Sequence, residues 1–427
     1  MNISGIITEY NPFHNGHLYH LQKVKERCEN NAIICIMNGN FVQRGQPALL
    51  DKWARTRMAI ENGVDLVIEL PLVYGIRSAE YFALGAVQLL NATGVVDSLV
   101  FGSELGRIEP LKILAGILNE EKPYFQKRLR TYLNNGFPYP VAREKALHDY
   151  INRNPERFRL DDDEIERAMA QPNNILGIEY IKAIYQLNSR IKPVTIKRIK
   201  SDYHSRELSG EIASATAIRE RIDSGTNKLT TLPDLKKFMP EASWRILKEE
   251  FQEGKAPVRE NYLGIIILAK LRQMKTSELK EFAEIDNGLE NRIMEAAHHT
   301  GTFYQLVDQI KTKAFTWTRI QRNLLHILFG LDAAEFRLLD ENGPQYLRVL
   351  GFNKRGEKIL ARIMEKSSLP VIIQPADFLN SIDLKNKDPL IKSLSYDILA
   401  SDLYSLLYPA PEKRVGHQDF TTPLITY

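Results

Sequence analysis

Near the start of the chain, Ile3-Ser4-Gly5-Ile6-Ile7-Thr8-Glu9-Tyr10-Asn11-Pro12-Phe13-His14-Asn15-Gly16-His17 joins an apolar run, a turn and a helix entry. Ile3, Ile6 and Ile7 are β-branched and predict a short buried strand. Asn11-Pro12 and Asn15-Gly16 punctuate a tight connection, after which Leu18, Leu21 and Val24 recur at helical spacing. A strand feeding a helix N-terminus presents unpaired amides and the positive end of the helix dipole, and such a place is receptive to phosphate. His14 and His17, three positions apart, can face one anion from the first turn and stabilise charge developing on phosphoryl oxygens. Gly16 between them permits close approach to the backbone. Metal binding or a plain polar surface is the competing reading of the pair. For metal, only His20 and Glu9 lie near enough in sequence to add ligands, so the identity of any metal ligand stays open.

The whole chain bounds the rest. Its 427 residues suffice for two or three domains with cores of their own. The two cysteines, Cys28 and Cys35, fit a reduced compartment better than a disulfide framework or a zinc site. No leader-like segment precedes the first strand, and the apolar run Leu263 to Ala269 stops at Lys270, so the expectation is a cytoplasmic protein without membrane contact. A net charge of +4 permits a nucleic-acid partner without demanding one. Oligomeric state is not legible.

Strand-like and helix-like segments alternate through the first half. Strands are predicted at Ala32 to Met37, Leu66 to Leu70, Ser98 to Phe101 and Val194 to Ile199, and helices at Asp51 to Asn62, Ser78 to Thr93 and Asn174 to Gln186. That alternation predicts an α/β, Rossmann-like domain over 1–225 with a parallel sheet covered on both faces, and a helical insertion over about 105–173. Ligands of such sheets bind beyond the carboxyl ends of the strands. This rule gathers the His14/His17 loop, the loop after Met37, the turn at Pro71 and Gly102-Ser103-Glu104. From Asp223 the composition turns linker-like, and a mostly α-helical C-terminal domain is expected over 226–408. Residues 409–427, with Pro409, Pro411 and Lys413-Arg414, read as a tail that packs loosely or orders on binding.

A second phosphate signal lies in Ile212-Ala213-Ser214-Ala215-Thr216-Ala217-Ile218-Arg219. Ser214 and Thr216 offer hydroxyls at a helix entry, and Arg219 in its first turns can neutralise a departing pyrophosphate. Taken alone, a serine cap with a solvated arginine describes it better.

The two motifs together, His14-Asn15-Gly16-His17 after the first strand and Ser214 to Arg219 after the last, resemble the HxGH nucleotidylyltransferase superfamily. Ala215 departs from the second motif where a hydroxyl is common. Longer blocks narrow the likeness: Glu9 to His17, Gly39-Asn40-Phe41-Val42-Gln43-Arg44-Gly45, Asp65-Leu66-Val67-Ile68-Glu69-Leu70-Pro71 and Pro172 to Tyr180 resemble the bacterial tRNA(Met) cytidine acetate ligases. The likeness extends to Lys311-Thr312-Lys313 and Thr318-Arg319-Ile320, and so covers most of the chain.

That resemblance implies a two-step ligation. Acetate would attack the α-phosphate of ATP to form acetyl-adenylate, with His14, His17 and Arg219 as catalytic residues. The wobble cytidine N4 amine of elongator tRNA(Met) would then take the acetyl group, giving N4-acetylcytidine. By matching position, Ile7, Thr8, Glu9, Tyr10, Asn11, Pro12, Phe13, His14, Asn15, Gly16, His17, Leu18, Tyr19 and His20 would wrap ATP. Gly102, Asn173 or Asn174, and Arg198 would complete the pocket beside Ser214 and Thr216, and Mg²⁺ is expected with ATP. On the residues themselves, Gly102 suits close approach at a strand end, whereas Asn173 and Asn174 suit either a ribose or base edge or a helix cap, and Arg198 either a ligand or a solvated strand edge. Asn38, Asn40, Gln43 and Arg44 suit either the orientation of acetate or cytidine or simple closure of their loop. No general base is legible; Asp51 reads as a helix cap.

Lys311, Lys313, Arg319 and Arg322 lie among Phe315, Trp317 and His326, a mixture that suits phosphates and unstacked bases of RNA, or an ordinary helix with a solvated charged face. Further basic runs occur at Lys127, Arg128 and Arg130, and at Lys354, Arg355, Lys358 and Arg362. A small-molecule adenylyltransferase of coenzyme biosynthesis and a non-catalytic tRNA-binding protein are the alternatives. The first leaves the basic helical half without a task, and the second leaves His14, His17 and Arg219 without one.

Overall fold

The structure, a computed structural model, describes residues 2–27, 31–158, 160–199, 213–223, 233–313 and 315–427. Cys28, Ile212 and most of the linker-like stretch after Asp223 lie outside them. Among the described residues the strands are, in chain order, β1 (Ile3–Thr8), β2 (Ala32–Asn38), β3 (Phe41–Val42), β4 (Gln46–Pro47), β5 (Leu66–Leu70), β6 (Ser98–Ser103), β7 (Lys192–Lys197), β8 (Leu347–Phe352), β9 (Val371–Ile372) and β10 (Ile425–Thr426).

The main sheet runs β10-β8-β5-β2-β1-β6-β7, with β9 on β8. Its five N-terminal strands are parallel, and chain order reverses at β1, which has β2 on one side and β6 on the other. A crevice opens at such a reversal, and it faces the loops after β1 and β6.

Alternation along each strand explains why the sheet is buried on both faces. Ile3, Ile34, Ile36, Leu66, Ile68 and Leu99 point into one core, against the helices Ala79–Ala92 and Pro172–Gln186. Ile6, Ile33, Cys35, Met37, Val67 and Val100 point into the other, against Asn15–Glu26, Lys52–Glu61 and Ala215–Asp223. Each fully buried isoleucine contributes roughly 1.5–3 kcal/mol, so the β-branched runs set both register and face. Gly5 sits where a Cβ would meet Leu90 Cδ2 at 2.7 Å, which lets the helix Ala79–Ala92 lie close on β1. The insertion is helical as expected, with helices Ile108–Glu120, Pro123–Asn134, Tyr139–Asn152 and Asp162–Ala170. Its acidic run is a helix start, where Asp161 caps the Glu164 amide at 2.7 Å.

Three expectations change. The last strand of the N-terminal half is Lys192–Lys197 rather than Val194 to Ile199, because β7 is a sheet edge and tolerates Pro193. The sheet is not wholly parallel. The second half is helical from Glu241–Gln252 to Ala333–Asn342, then returns as β8, antiparallel to β5 and shifted in register between Val67 and Ile68. β8 carries Arg348 and Gly351 within its apolar run, which masks it as a strand in the sequence. Finally, residues 409–427 do not pack loosely. Ile425 and Thr426 pair with Gly351 and Phe352, and the side chain of Asp419 is fully buried.

Asp419 explains the buried cation of β8. Lys52 Nζ donates to both Glu69 oxygens at 2.9 Å and to Asp419 Oδ1 at 2.7 Å, while Arg348 Nη2 reaches Asp419 Oδ1 at 2.5 Å and its Nε lies 3.4 Å from Glu69 Oε2. Two cations and two carboxylates thus close under the sheet, joining β5, β8 and the C-terminal segment. Gly39 belongs to this arrangement, since a Cβ there would stand 2.5 Å from Glu69 Oε1.

Candidate active site

His14 is the N-cap of the helix Asn15–Glu26, in extended conformation, and its ring replaces the usual hydroxyl cap. Its Nδ1 accepts from the Gly16 amide at 3.0 Å, and His17 Nδ1 accepts from the His14 amide at 3.2 Å, closing a reciprocal capping box. Because both Nδ1 atoms accept, both neutral rings carry their proton on Nε2. The rings stack at 3.8 Å between centroids. Tyr10 and Phe13 back His17 at 4.9 and 5.5 Å, and both are buried. Tyr10 holds φ +47°, a sparsely populated backbone state at the turn that aims the loop.

Electrostatics keep these rings neutral. Burial, reinforced by the charges of Arg198 and Arg219, lowers the His14 pKa to about 3, and burial with Arg198 lowers His20 to about 4. His17 is likewise held well below the usual imidazole range by burial, with the charges of His14 and Arg198 adding. Buried His20 Nε2 has no hydrogen-bond partner among the described residues.

Ser214 opens the helix Ala215–Asp223 by accepting from the Ala217 amide at 3.1 Å, the cap that its position predicts. Arg219 does more than sit on that helix. Its Nη1 donates to the Asn11 carbonyl at 2.7 Å and its Nη2 to Thr216 Oγ1 at 3.3 Å. The second motif is therefore fastened to the turn of the first, 208 residues away.

Across the switch point, a Cβ on Gly102 would stand 3.1 Å from Arg198 Cγ, so the glycine keeps room for that side chain at the mouth of the crevice. Arg198 Nη1 donates to Asn173 Oδ1 at 3.4 Å, and Asn173 Nδ2 to Glu104 Oε1 at 2.6 Å. Asn174 is different. It is 0 % exposed, its Oδ1 accepts from Leu105 N and its Nδ2 donates to Arg167 O, so it ties the insertion to the helix Pro172–Gln186. Of the asparagine pair, only Asn173 stands beside Arg198. Glu104, within the loop that sequence selected but without an assigned role, holds both asparagines through Asn173 Nδ2 and the Asn174 amide.

The loop after β2 uses much of its polarity internally. Asn38 Nδ2 donates to Phe41 O and Gly75 O, while Asn40 accepts from Lys52 N and donates to Ser401 Oγ. Gln43 gives its amide to Glu9 Oε1 at 2.9 Å and its side chain to Arg77 O. Arg44 is half-buried, and its charge acts on Arg219. Arg55, which sequence reasoning passed over, organises the whole rim: fully buried, it donates to the carbonyls of Glu9, Asn38, Gly39 and Leu50. An arginine inside a helix that reads as amphipathic carries no sequence signal of that role.

Other residues of the first loop serve its frame. Thr8 Oγ1 lies 3.1 Å from Cys35 Sγ, Asn15 Nδ2 donates to Lys237 O at 2.9 Å, and Leu18 and Tyr19 pack on the second core. Ile7 belongs to β1 and packs on the first core, and Pro12 lies in the turn after a cis Asn11-Pro12 bond. Among the described residues there is no group of three or more His, Cys, Asp or Glu that could hold a metal ion. No described helix is long and apolar enough to cross a membrane.

Lys311 and Lys313 are exposed. Arg319 instead donates to Glu284 O at 2.8 Å, pairs with Asp286 and lies over the Phe315 ring. Phe315 and His326 are buried, and His326 Nε2 lies 2.9 Å from Ile76 O, so neither ring offers a face to a base. Tyr304, 64 % exposed, packs on half-buried Trp317 at 5.1 Å.

Residues 1–419 match the model of the family described as HIGH Nucleotidyl Transferase. The chain is 54 % identical over its full length to the tRNA(Met) cytidine acetate ligase of Halothermothrix orenii, covering 99 % of that protein. It is 44 % identical to the ligase of the same name from Acetivibrio thermocellus, with full coverage of both chains. The chain belongs to the tRNA(Met) cytidine acetate ligase family. A crystal structure of a family member, Thermotoga maritima TmcAL bound with alpha-thio ATP, superposes with a TM-score of 0.90 at 35 % identity, covering 100 % of this chain and 99 % of that one. Membership in the family accords with the α/β nucleotidyltransferase fold and with the pairing of the His14 loop and the Arg219 helix.

Proposed function

We propose that this chain activates acetate with ATP and transfers the acetyl group to the wobble cytidine N4 of elongator tRNA(Met). The observation that carries this reading is the convergence of two neutral, Nε2-protonated imidazoles and Arg219 on one turn at the sheet's switch point. In the first step an acetate oxygen attacks the α-phosphorus, the bond to the β-phosphate breaks, and pyrophosphate leaves. His14 and His17 donate from Nε2 to phosphoryl oxygens, and Arg219 neutralises the leaving group. Neutral donors suit this task because they supply hydrogen bonds without trapping the polyanionic product. The amides of the helix start add to them. Acetate is a weak nucleophile, so alignment supplies most of the acceleration and no covalent enzyme intermediate is needed.

Arg198 and Asn173 close the opposite wall and take the ribose or base, while Ser214 and Thr216 flank the phosphates. Gln43 and Arg44 face acetate and cytidine. Mg²⁺, where bound with ATP, would screen the phosphate charge. The helical half over 226–408 docks the tRNA, with Lys311 and Lys313 on phosphates. The test is incubation with ATP, labelled acetate and unmodified tRNA transcripts, following label into RNA together with AMP and pyrophosphate. Joining of a nucleotide to a small phosphate ester, with no labelled RNA, would reject the reading.

A further inference from the structure

Glu260 begins the helix Glu260–Leu271, far from either phosphate motif in sequence, yet the fold folds it back onto the nucleotide turn. Three links place it. Asn11, whose carbonyl holds Arg219, accepts from the Leu49 amide through Oδ1 at 2.8 Å. The Leu49 carbonyl accepts from the Val258 amide at 3.1 Å. Gln46 on β4 donates from Nε2 to Glu260 Oε1. On the other side Arg259 pairs with Asp223, the last residue of the helix that carries Arg219, at 3.4 Å. The carboxylate thus stands in the field of Arg219, at the junction of the nucleotide domain and the helical half.

The ligation has two chemical steps, and the phosphate motifs account for one. In the second, the cytidine N4 amine attacks the acetyl carbonyl carbon of the adenylate, a C–N bond forms, the acyl C–O bond breaks, and AMP leaves with that electron pair. One N4 proton must go elsewhere. His14 and His17 already carry their proton on Nε2, and Arg219 is a cation, so none of these three phosphate-motif groups accepts it. We infer that Glu260 is the proton acceptor of acetyl transfer, positioned by Gln46 and contributed by the helical half that docks the tRNA. The inference rests on the ligase reading above and adds the group that its second step lacks.

The surroundings suit that task. Burial lifts the Glu260 carboxyl to about 7 although Arg219 opposes the rise, and Asp223 adds to it; Arg259, Arg44, Glu9 and Glu220 are further charges at this junction. A carboxylate near the working pH takes a proton without being trapped as a permanent anion or a permanent acid. Gln46 is itself held from behind: Gln321, oriented to satisfy its neighbours, accepts from Gln46 Nε2 and Trp317 Nε1 at 3.2 Å and donates to Arg44 O at 3.1 Å. This chain joins the carboxylate to the aromatic surface of Trp317.

The test separates the two steps in one preparation. Glu260→Gln should retain acetate-dependent exchange of pyrophosphate into ATP within about threefold, while single-turnover transfer from preformed acetyl-adenylate to tRNA falls by about 100-fold or more, the usual weight of a general base. Wild-type transfer should rise with pH through an acidic limb that the glutamine variant lacks, and Glu260→Asp should transfer at an intermediate rate with the limb displaced. The retained exchange reports the fold. Equal loss of exchange and transfer in both variants would assign Glu260 to the support of Arg219, and undiminished transfer would remove it from the reaction; either overturns the inference. A wild-type protein with no acetate-dependent exchange would instead reject the ligase reading itself.

Discussion

Arg219 donates from Nη1 to the main-chain carbonyl of Asn11 at 2.7 Å. This one bond sets the second phosphate motif against the first, and it leaves the remaining guanidinium donors to meet a leaving group. Arg219→Ala should lower acetyl-adenylate formation by about 100- to 1,000-fold, the cost of removing one preorganised charge donor. Pyrophosphate exchange measures the loss, and a fall of less than tenfold would show that the arginine serves the fold alone.

The low pKa values of the site histidines predict a stability profile. Folded His14 titrates at about 3 and His20 at about 4, with His17 also lowered, whereas the unfolded chain takes up these protons near 6.5. The unfolded state therefore binds more protons below pH 6.5, and stability should drop steadily as pH falls from there toward 4. Thermal unfolding across this range tests it. His14→Gln with His20→Gln should flatten the slope, and an unchanged slope in that double variant would assign the acid sensitivity elsewhere.

The asparagine pair separates binding from folding. Asn173→Ala should raise the KM for ATP several-fold with little change in denaturant midpoint. Asn174→Ala should destabilise by about 1–3 kcal/mol, because it takes a fully buried side chain from the part-buried Leu105 amide and Arg167 carbonyl that it pairs. Urea titrations beside steady-state kinetics distinguish the two, and reversed effects would contradict the placement.

Asp419→Ala removes a carboxylate that pairs with two buried cations, Lys52 and Arg348, leaving Glu69 in contact with both and Asp397 acting on them from further off. A loss of about 3–5 kcal/mol is expected, and guanidinium unfolding measures it. A change under 1 kcal/mol would mean that the C-terminal segment does not clamp the sheet.

The exposed lysines and the engaged arginine should behave differently toward RNA. Replacing Lys311 and Lys313 with Ala should weaken tRNA binding and reduce the salt slope by about 1–2. Arg319→Ala should chiefly loosen the contact with Glu284 and Asp286. Filter binding at several salt concentrations reads both; an unaltered slope in the lysine variant would make these side chains a solvated face.

Local pattern was enough for much of this molecule. The β-branched strand, the Asn-Pro turn and the His-x-Gly-His helix start are each decided within a few residues, and the cap geometry of His14, His17 and Ser214 follows from positions two or three apart. The burial of alternate strand residues in opposite cores follows from the period of the strand. Likeness over ordered blocks supplied the family, because many short matches in one order constrain each other.

What sequence could not decide are the pairings between distant, chemically ambiguous residues. A lysine, an arginine and two carboxylates scattered from Lys52 to Asp419 read as ordinary surface charge, and only the tertiary structure brings them into a buried clasp where each needs the others. The same holds for Arg55, whose four carbonyl partners lie on three separate segments, and for Glu260, which reads as a helix start and comes within the field of Arg219 only because the helical half folds back. A periodic apolar pattern reports burial from within a single element, but the partner of a buried charge is set by topology, and no local spacing records it.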